Sequence, residues 1–477
     1  MDDPEKQHHT QPSSSQEGST EVSDIDKEAQ EEAINDFANG GPVQEDLRSH
    51  AIQKETGQLA DGGQISKQAS SKPSVHSMRA IPNGGLQAWL QVVGAFFLFF
   101  NSWGITNTFG VYQTYYETGL LSGSSPSDIS WVGSLQATLL LFVGALTGPI
   151  YDAGYFRALL IAGTLLVTVG QMMLSICKEY YQVVLAQAIC IGLGAGCLFV
   201  PSVAIISQYF TTKIATAMGL AATGSSLGGV IYPIVLYRLI PRIGFGWATR
   251  VLGFMMLGTL IIPNLVMKVR VLPAQRRKIV DWSALAEPAY LLFVVGSFLG
   301  FMGLYAPFFY IESYSINTGI MDPNLGFYLI SILNAASIFG RAIPNIIADK
   351  LGAYNMMIPC ALVAGILQFV LIGTHNIGGI IVISLLYGFF SGTFVSIPPT
   401  IFVMLSPNRG IVGTRMGMGF TIVSIGLLIG TPACGWILDA SSWKFVWTFG
   451  GLLTVTGSAV IFASRMFKSN GKLVAKV

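Results

Sequence analysis

The chain has 477 residues, of which 52% are apolar and only 11% charged. Soluble globular domains carry roughly a quarter charged residues, so a fold with water as its main solvent is excluded. Residues 1–80 hold fifteen of the twenty-five acids and seven of the twenty-seven Lys and Arg, which leaves ten acids and twenty bases for the rest of the chain.

From Met1 to about Ile81 the sequence is rich in Gln, Ser, Glu and Asp and almost free of aromatics. It cannot bury enough apolar surface to offset its ordering entropy, and a disordered acidic cytosolic tail over 1–81 is expected. No apolar core follows a basic start, so the first apolar stretch must act as the insertion signal. Twelve stretches then reach the roughly 20 residues a spanning helix needs. Numbered 1 to 12, they begin near Leu86, Ile129, Ala158, Tyr181, Thr216, Trp247, Pro288, Leu325, Met356, Gly379, Thr414 and Phe445. The basic loop over 269–287, with Arg270, Arg276, Arg277 and Lys278, divides them six and six.

The expected fold is therefore an all-α membrane protein: twelve transmembrane helices in two six-helix bundles, over 82–268 and 288–466, then a short basic cytosolic tail over 467–477. Even-numbered stretches are followed by Arg157, Lys213, the loop cluster, Lys350, Arg409 and the terminal lysines. Odd-numbered ones are followed only by Lys178, Arg238, Arg242 and Lys444. Lys and Arg in short loops stay cytosolic, so both termini are expected inside. Glycines at GxxxG spacing (Gly144/Gly148, Gly192/Gly196, Gly224/Gly228, Gly296/Gly300, Gly426/Gly430) predict close helix packing.

The cysteines have no metal-ligand or CxxC spacing, four of the five histidines lie in the tail, and His375 stands alone, so no metal site is expected. No Ser/His/Asp set or phosphate-cradling Gly loop is recognisable. An enzyme is unsupported, and nothing points to a nucleic-acid partner. The expected partners are the lipid bilayer and a small-molecule substrate, with a coupled proton as a further option.

An ionisable group inside the membrane needs a partner or a wet cavity. Arg341 lies well inside stretch 8, on one stripe with Ser331, Asn334, Ser337 and Asn345 at 100° per residue. It reads either as a structural Arg paired with carbonyls or Asp349, or as an anion-binding fork. Asn101 lies about halfway along stretch 1 on a polar face, suited to cavity lining or to helix packing. Phe301, Tyr305, Phe308 and Glu312 share one side of stretch 7, with Pro307 expected to kink it. Glu312 reads as a proton carrier or as an interface residue. Tyr387, Ser391 and Phe394 align in stretch 10 before the Pro398–Pro399 break, a face suited to a flat ligand or to packing. Gly148, Asp152 and Arg157 after stretch 2, and Asp349 and Lys350 after stretch 8, occupy matching turns. They are read as cytosolic gating latches, against ordinary loop salt bridges of about 0–1 kcal/mol.

The chain resembles the fungal branch of the monocarboxylate-porter-like proteins in the major facilitator superfamily, from Asn83 to Arg465. The resemblance is carried by Gly84-Gly85-Leu86-Gln87-Ala88-Trp89, Asn101-Ser102-Trp103-Gly104, Gly148 to Arg157, Tyr209-Phe210 through Gly228-Gly229, Trp247 with Arg250, and Leu333-Asn334-Ala335 through Gly340-Arg341 to Asp349. It implies a secondary transporter with a central cavity between two bundles, no ATP and no bound cofactor, and it matches Arg341 to a carboxylate-handling arginine. It also implies departures. Ser337 stands where the animal carriers have an Asp, the substrate-contacting Lys of stretch 1 is missing, Asn83 replaces an acid, and Ile214 replaces a basic residue. These point away from proton-coupled lactate transport.

Relatives of this type include uptake carriers for carboxylates or vitamins and exporters of secondary metabolites. The aromatic faces favour a partly apolar organic acid or fungal metabolite, with export favoured and the plasma membrane preferred over the vacuolar one. The rival class is a nutrient sensor that signals through the N-terminal tail.

Overall fold

The computed structural model describes residues 82–270, 280–407 and 411–477, apart from the side chains of Ala145 and Asp152. The tail expected over 1–81, the cluster Arg276 to Lys278 and Arg409 lie outside the described residues. Every regular element among those described is a helix.

Eleven helical runs are long and apolar enough to cross a membrane. One of them, Ile214–Val266, has 53 residues; straight, it would measure about 80 Å against a hydrocarbon core of about 30 Å. It turns at Gly244, whose φ of 77° and ψ of 163° are non-helical and accessible to a residue without a Cβ. Tyr232 before the turn and Thr259 after it both donate to the Asn101 carboxamide oxygen, at 2.8 and 3.1 Å. The two limbs thus lie against the same helix, and the run is two spans. The twelve spans are Leu86–Leu120, Pro126–Asp152, Phe156–Leu174, Tyr180–Tyr209, the two limbs of Ile214–Val266, Pro288–Asn317, Pro323–Leu351, Ala353–Ile372, Ile377–Met404, Val412–Ala440 and Trp443–Lys468.

Local chemistry sets their ends and breaks. Ser125 and Asp128 form a capping box at the start of span 2, and the Asn376 side chain accepts the Gly379 N–H at 2.7 Å to open span 10; both satisfy backbone donors that have no helical partner. Span 7 is interrupted at Tyr305 because Pro307 lacks an N–H and crowds the carbonyl four residues back. Span 10 is interrupted at Ile397, just before Pro398. Span 1 ends in a π-helical turn over Tyr116–Leu120, and span 4 contains one over Val184–Ile191.

The two halves repeat one packing device. A Cβ on Gly224 or Gly228 of span 5 would stand 2.0 and 2.5 Å from the carbonyl oxygens of Phe96 and Phe100 in span 1. A Cβ on Gly426 or Gly430 of span 11 would stand 2.6 and 2.1 Å from those of Phe298 and Met302 in span 7. Each ladder steps four residues along both helices, so only glycine lets these backbones approach so closely. Gly192 and Gly196 pack likewise on span 2, whereas Gly148 has nothing within 4 Å of an added Cβ. Spans 1–6 and 7–12 thereby form two bundles.

Candidate functional site

A small cavity lies between the bundles, walled by Phe99, Trp103, Phe199, Met218 and Ala222 from the first and by Phe301, Arg341, Val395, Ser396, Pro399 and Phe420 from the second. Rings of its walls, with the adjacent Tyr305, form a connected belt across the interface. Trp103 stacks on Tyr305 at 6.3 Å, Trp103 and Phe199 meet edge-on at 6.1 Å, and Phe199 meets Phe420 at 5.6 Å. About 20 Å³ is open to the centre of a water molecule, enough for a water or so and far below the roughly 300–1,000 Å³ of ligand pockets.

Arg341 brings the cavity's one charge. It is 1% exposed, its Nε donates to Ser337 Oγ at 3.2 Å, and Ser226 of span 5 donates to the same oxygen at 3.0 Å. No ion pair between described residues involves Arg341. Ser337 is thus a neutral prop for the guanidinium. Tyr305 is buried beside Arg341, and its hydroxyl has no partner among the described residues.

Asn101 is fully engaged inside the first bundle: its amide donates to the Phe97 carbonyl and to Thr259, and its oxygen accepts from Tyr232. It cross-links spans 1, 5 and 6 and is not among the cavity walls. Asn334 donates to the Ile330 carbonyl at 2.9 Å, its oxygen is unpartnered, and it packs on Gly229 of span 5. The Tyr387 hydroxyl donates to the Leu304 carbonyl at 2.5 Å, tying off a backbone oxygen at the span 7 break. Among the described residues Ser391 bonds within its own helix, donating to the Gly388 carbonyl at 3.4 Å.

Glu312 is 2% exposed with one carboxyl oxygen unpartnered. Thr114 of span 1 lies beside it and Glu117 lies near. Glu117 accepts from Gln113 at 2.5 Å and, across the bundles, from Ser313 at 3.3 Å.

Among the described residues, contacts join the bundles towards both ends of their interface. On the face where span 1 begins, the basic face, Asp349 at the end of span 8 accepts from the Ala215 and Thr216 N–H groups at 3.1 and 2.9 Å and from the Thr216 hydroxyl at 2.6 Å. An anionic side chain at a helix N-terminus meets both its free donors and its dipole. Asp349 therefore joins the bundles directly, without Lys350, which is exposed. Arg157 donates to the Asn264 carbonyl within its own bundle; the Asp152 side chain lies outside the described residues. Towards the far face, Phe109 meets Phe309 at 5.0 Å and Tyr237 stacks on Phe327 at 3.9 Å. Ser134 and Thr431 share a hydrogen bond there as well.

Arg415 escaped the sequence reading. It is 1% exposed and grips Glu287 through two nitrogens at 2.8 and 2.5 Å, Asp281 at 2.9 Å and the Leu405 carbonyl at 2.7 Å. It thus fastens the loop before span 7 to the start of span 11. The Ser283 hydroxyl, and then Arg415, hold the Asp281 carboxyl below the usual carboxylate range. Its signal was a lone Arg at the edge of an apolar stretch. Phe199 and Phe420 offered no signal beyond being aromatic, although Trp103 stood in a recognised motif.

The Major Facilitator Superfamily sequence model matches residues 92–371. The chain is 52% identical over 382 residues to the MFS-type transporter dbaD of Emericella nidulans, covering 80% of this chain and 86% of that one. It is 37% identical over 402 residues to the aspyridones efflux protein apdF of the same organism, covering 84% and 82%. The crystal structure of a point mutant of the nucleoside transporter NupG superposes with a TM-score of 0.60 at 15% identity, covering 79% of this chain and 99% of that one; at that identity the likeness is one of fold. With twelve spans in two bundles, a small cavity between the bundles and these relatives, the chain belongs to the Major Facilitator Superfamily and is a multi-pass membrane transporter of small molecules.

Proposed function

We propose that the protein exports a partly apolar organic acid by alternating access, the acid's anionic group resting on Arg341 and its apolar body between Trp103, Tyr305, Phe199 and Phe420. Arg341 carries this reading. A guanidinium withdrawn from water is costly unless paired, yet its side-chain partner among the described residues is one serine hydroxyl. An arriving carboxylate or other planar anion supplies the missing charge and uses the fork. The aromatic belt offers faces for a flat apolar group.

The cavity between the bundles is too small for such an acid, so the bundles must rock apart to admit it. Export is favoured by the efflux role in the name of apdF. The monocarboxylate-porter-like branch, cytosolic termini, the Asp349 latch on the cytosolic side and the plasma membrane complete the reading. Glu312, buried where spans 1 and 7 meet, is the candidate proton carrier.

The test is mass spectrometry of small molecules in cells and medium, comparing strains with no protein, intact protein, Arg341→Ala and Arg341→Lys. The expected result is a compound retained inside cells without the protein, released by the intact form and not by Arg341→Ala. Arg341→Lys, which keeps the charge and loses the fork, should lower release about tenfold or more. Identical pools in strains with and without the protein would sink the export reading.

A further inference from the structure

A second cavity lies outside the bundle interface, on the outer surface between spans 3 and 6. Its volume is about 370 Å³, and its walls are Arg157, Ile161, Thr164, Leu165, Ile261, Asn264 and Leu265. Arg157, Ile161 and Leu165 follow one face of span 3 at four-residue steps, while Ile261 and Leu265 face them from span 6. All four aliphatic side chains are open to the outside, from 49% exposed for Ile261 to 71% for Leu265. Arg157 sits in the first turn of span 3 and Leu265 in the last turn of span 6, so the mouth is at the membrane boundary. From there the cleft runs about 12 Å inwards, the rise of eight helical residues. The Asn264 carbonyl accepts from Arg157 Nη1, which holds the guanidinium over the mouth while leaving it further donors of the five it carries. Exposed Lys268 follows at the same end of span 6.

We infer that this cleft is a binding site for an anionic phospholipid of the leaflet on the basic face, with the phosphate on Arg157 and an acyl chain along Ile161, Leu165 and Ile261. A cleft in the spanning zone is filled by hydrocarbon where its walls are Ile161, Leu165, Ile261 and Leu265, while Thr164 and Asn264 at its base are hydrogen-bonded to each other at 3.1 Å. The cation at its rim selects among headgroups, since an Arg near the surface favours anionic lipid. A bidentate guanidinium suits phosphate, and a zwitterionic headgroup repays it less.

The test is native mass spectrometry of the purified full chain offered equal dioleoyl phosphatidylglycerol and dioleoyl phosphatidylcholine. Intact protein should retain the anionic lipid about fivefold over the zwitterionic one. Arg157→Gln should bring that ratio close to one, and Arg157→Lys should preserve most of it. Ile161→Trp, which fills the cleft and keeps the Arg, should reduce retention of both lipids, and this arm stands even if Arg157→Gln fails to fold. Equal retention by the intact protein, or an undiminished preference in Arg157→Gln, overturns the proposal. Displacement of the lipid by millimolar inorganic phosphate alone would mark a free-phosphate site and overturn it as well.

Discussion

Arg341 and Glu312 are buried ionisable side chains in the spans with no opposite charge paired to them among the described residues. They flank the span 7 break, Arg341 beside Tyr305 and Glu312 two turns further towards the far face. In the proposed export cycle the two unpaired groups of opposite sign would serve two cargoes in turn, an anion on the first and a proton on the second. Glu312→Gln keeps the size and hydrogen-bonding capacity but cannot cycle a proton. It is expected to abolish uphill export of the retained compound while leaving exchange of labelled for unlabelled compound intact. Loss of both activities together would make Glu312 a packing residue. Glu117→Gln should be milder, because Gln113 and Ser313 already hold that carboxylate.

At the scale of elements, a glycine ladder packs each bundle and the Arg415 clasp fastens the second. Gly224→Ala places a methyl group 2.0 Å from the Phe96 carbonyl, and the overpacking should cost about 1–3 kcal/mol, lowering the thermal midpoint in detergent. Gly258→Ala in span 6, with nothing within 4 Å, is the matched control and should leave the midpoint unchanged or raised. The clasp predicts an acid limb. Because the Asp281 carboxyl is held below its ordinary value, its contribution is present above an unfolded value of about 3.9 and lost as pH falls through the lower folded one. Midpoints measured below pH of about 4 should therefore decline, and more shallowly in Asp281→Asn; superimposable acid limbs would remove Asp281 from the account. Asn83 shows the same economy at the start of span 1. Its carboxamide oxygen accepts from Thr211 and Thr212 N–H at 2.7 and 3.1 Å, a task an acid could also perform.

For the whole molecule, the question is which face opens. Asp349 ties span 8 to the N-terminus of span 5 across the interface, so removing it should release the basic face. Asp349→Ala forfeits about 1–2 kcal/mol of capping and dipole interaction, a five- to thirty-fold shift in a two-state equilibrium. Ser396→Cys in an otherwise cysteine-free protein reads this out, since Ser396 lines the cavity and is 4% exposed. Maleimide labelling from the basic face should accelerate by that factor when Asp349→Ala is added. An unchanged labelling rate would show that Asp349 caps a helix without governing access.

The number of spans, the expected two halves, the breaks at Pro307 and Pro398 and the singular position of Arg341 were all legible in the sequence. Each depends on properties summed or spaced along the chain: apolar run length, a missing N–H, a lone charge in a hydrophobic helix. The single 53-residue run at Ile214–Val266 reads as two stretches for the same reason, since no bilayer holds its length. Partnership was not legible. The polar stripe around Asn101 announced a polar neighbour but could not say whether that was the cavity or Tyr232 and Thr259. Nothing local tied Arg415 to Glu287, 128 residues away, or brought Phe199 to Phe420. Only the tertiary structure decided these, because the direction a buried polar or aromatic group faces is set by how helices distant in sequence pack, whereas the hydropathy that inserts each helix is carried by that helix alone.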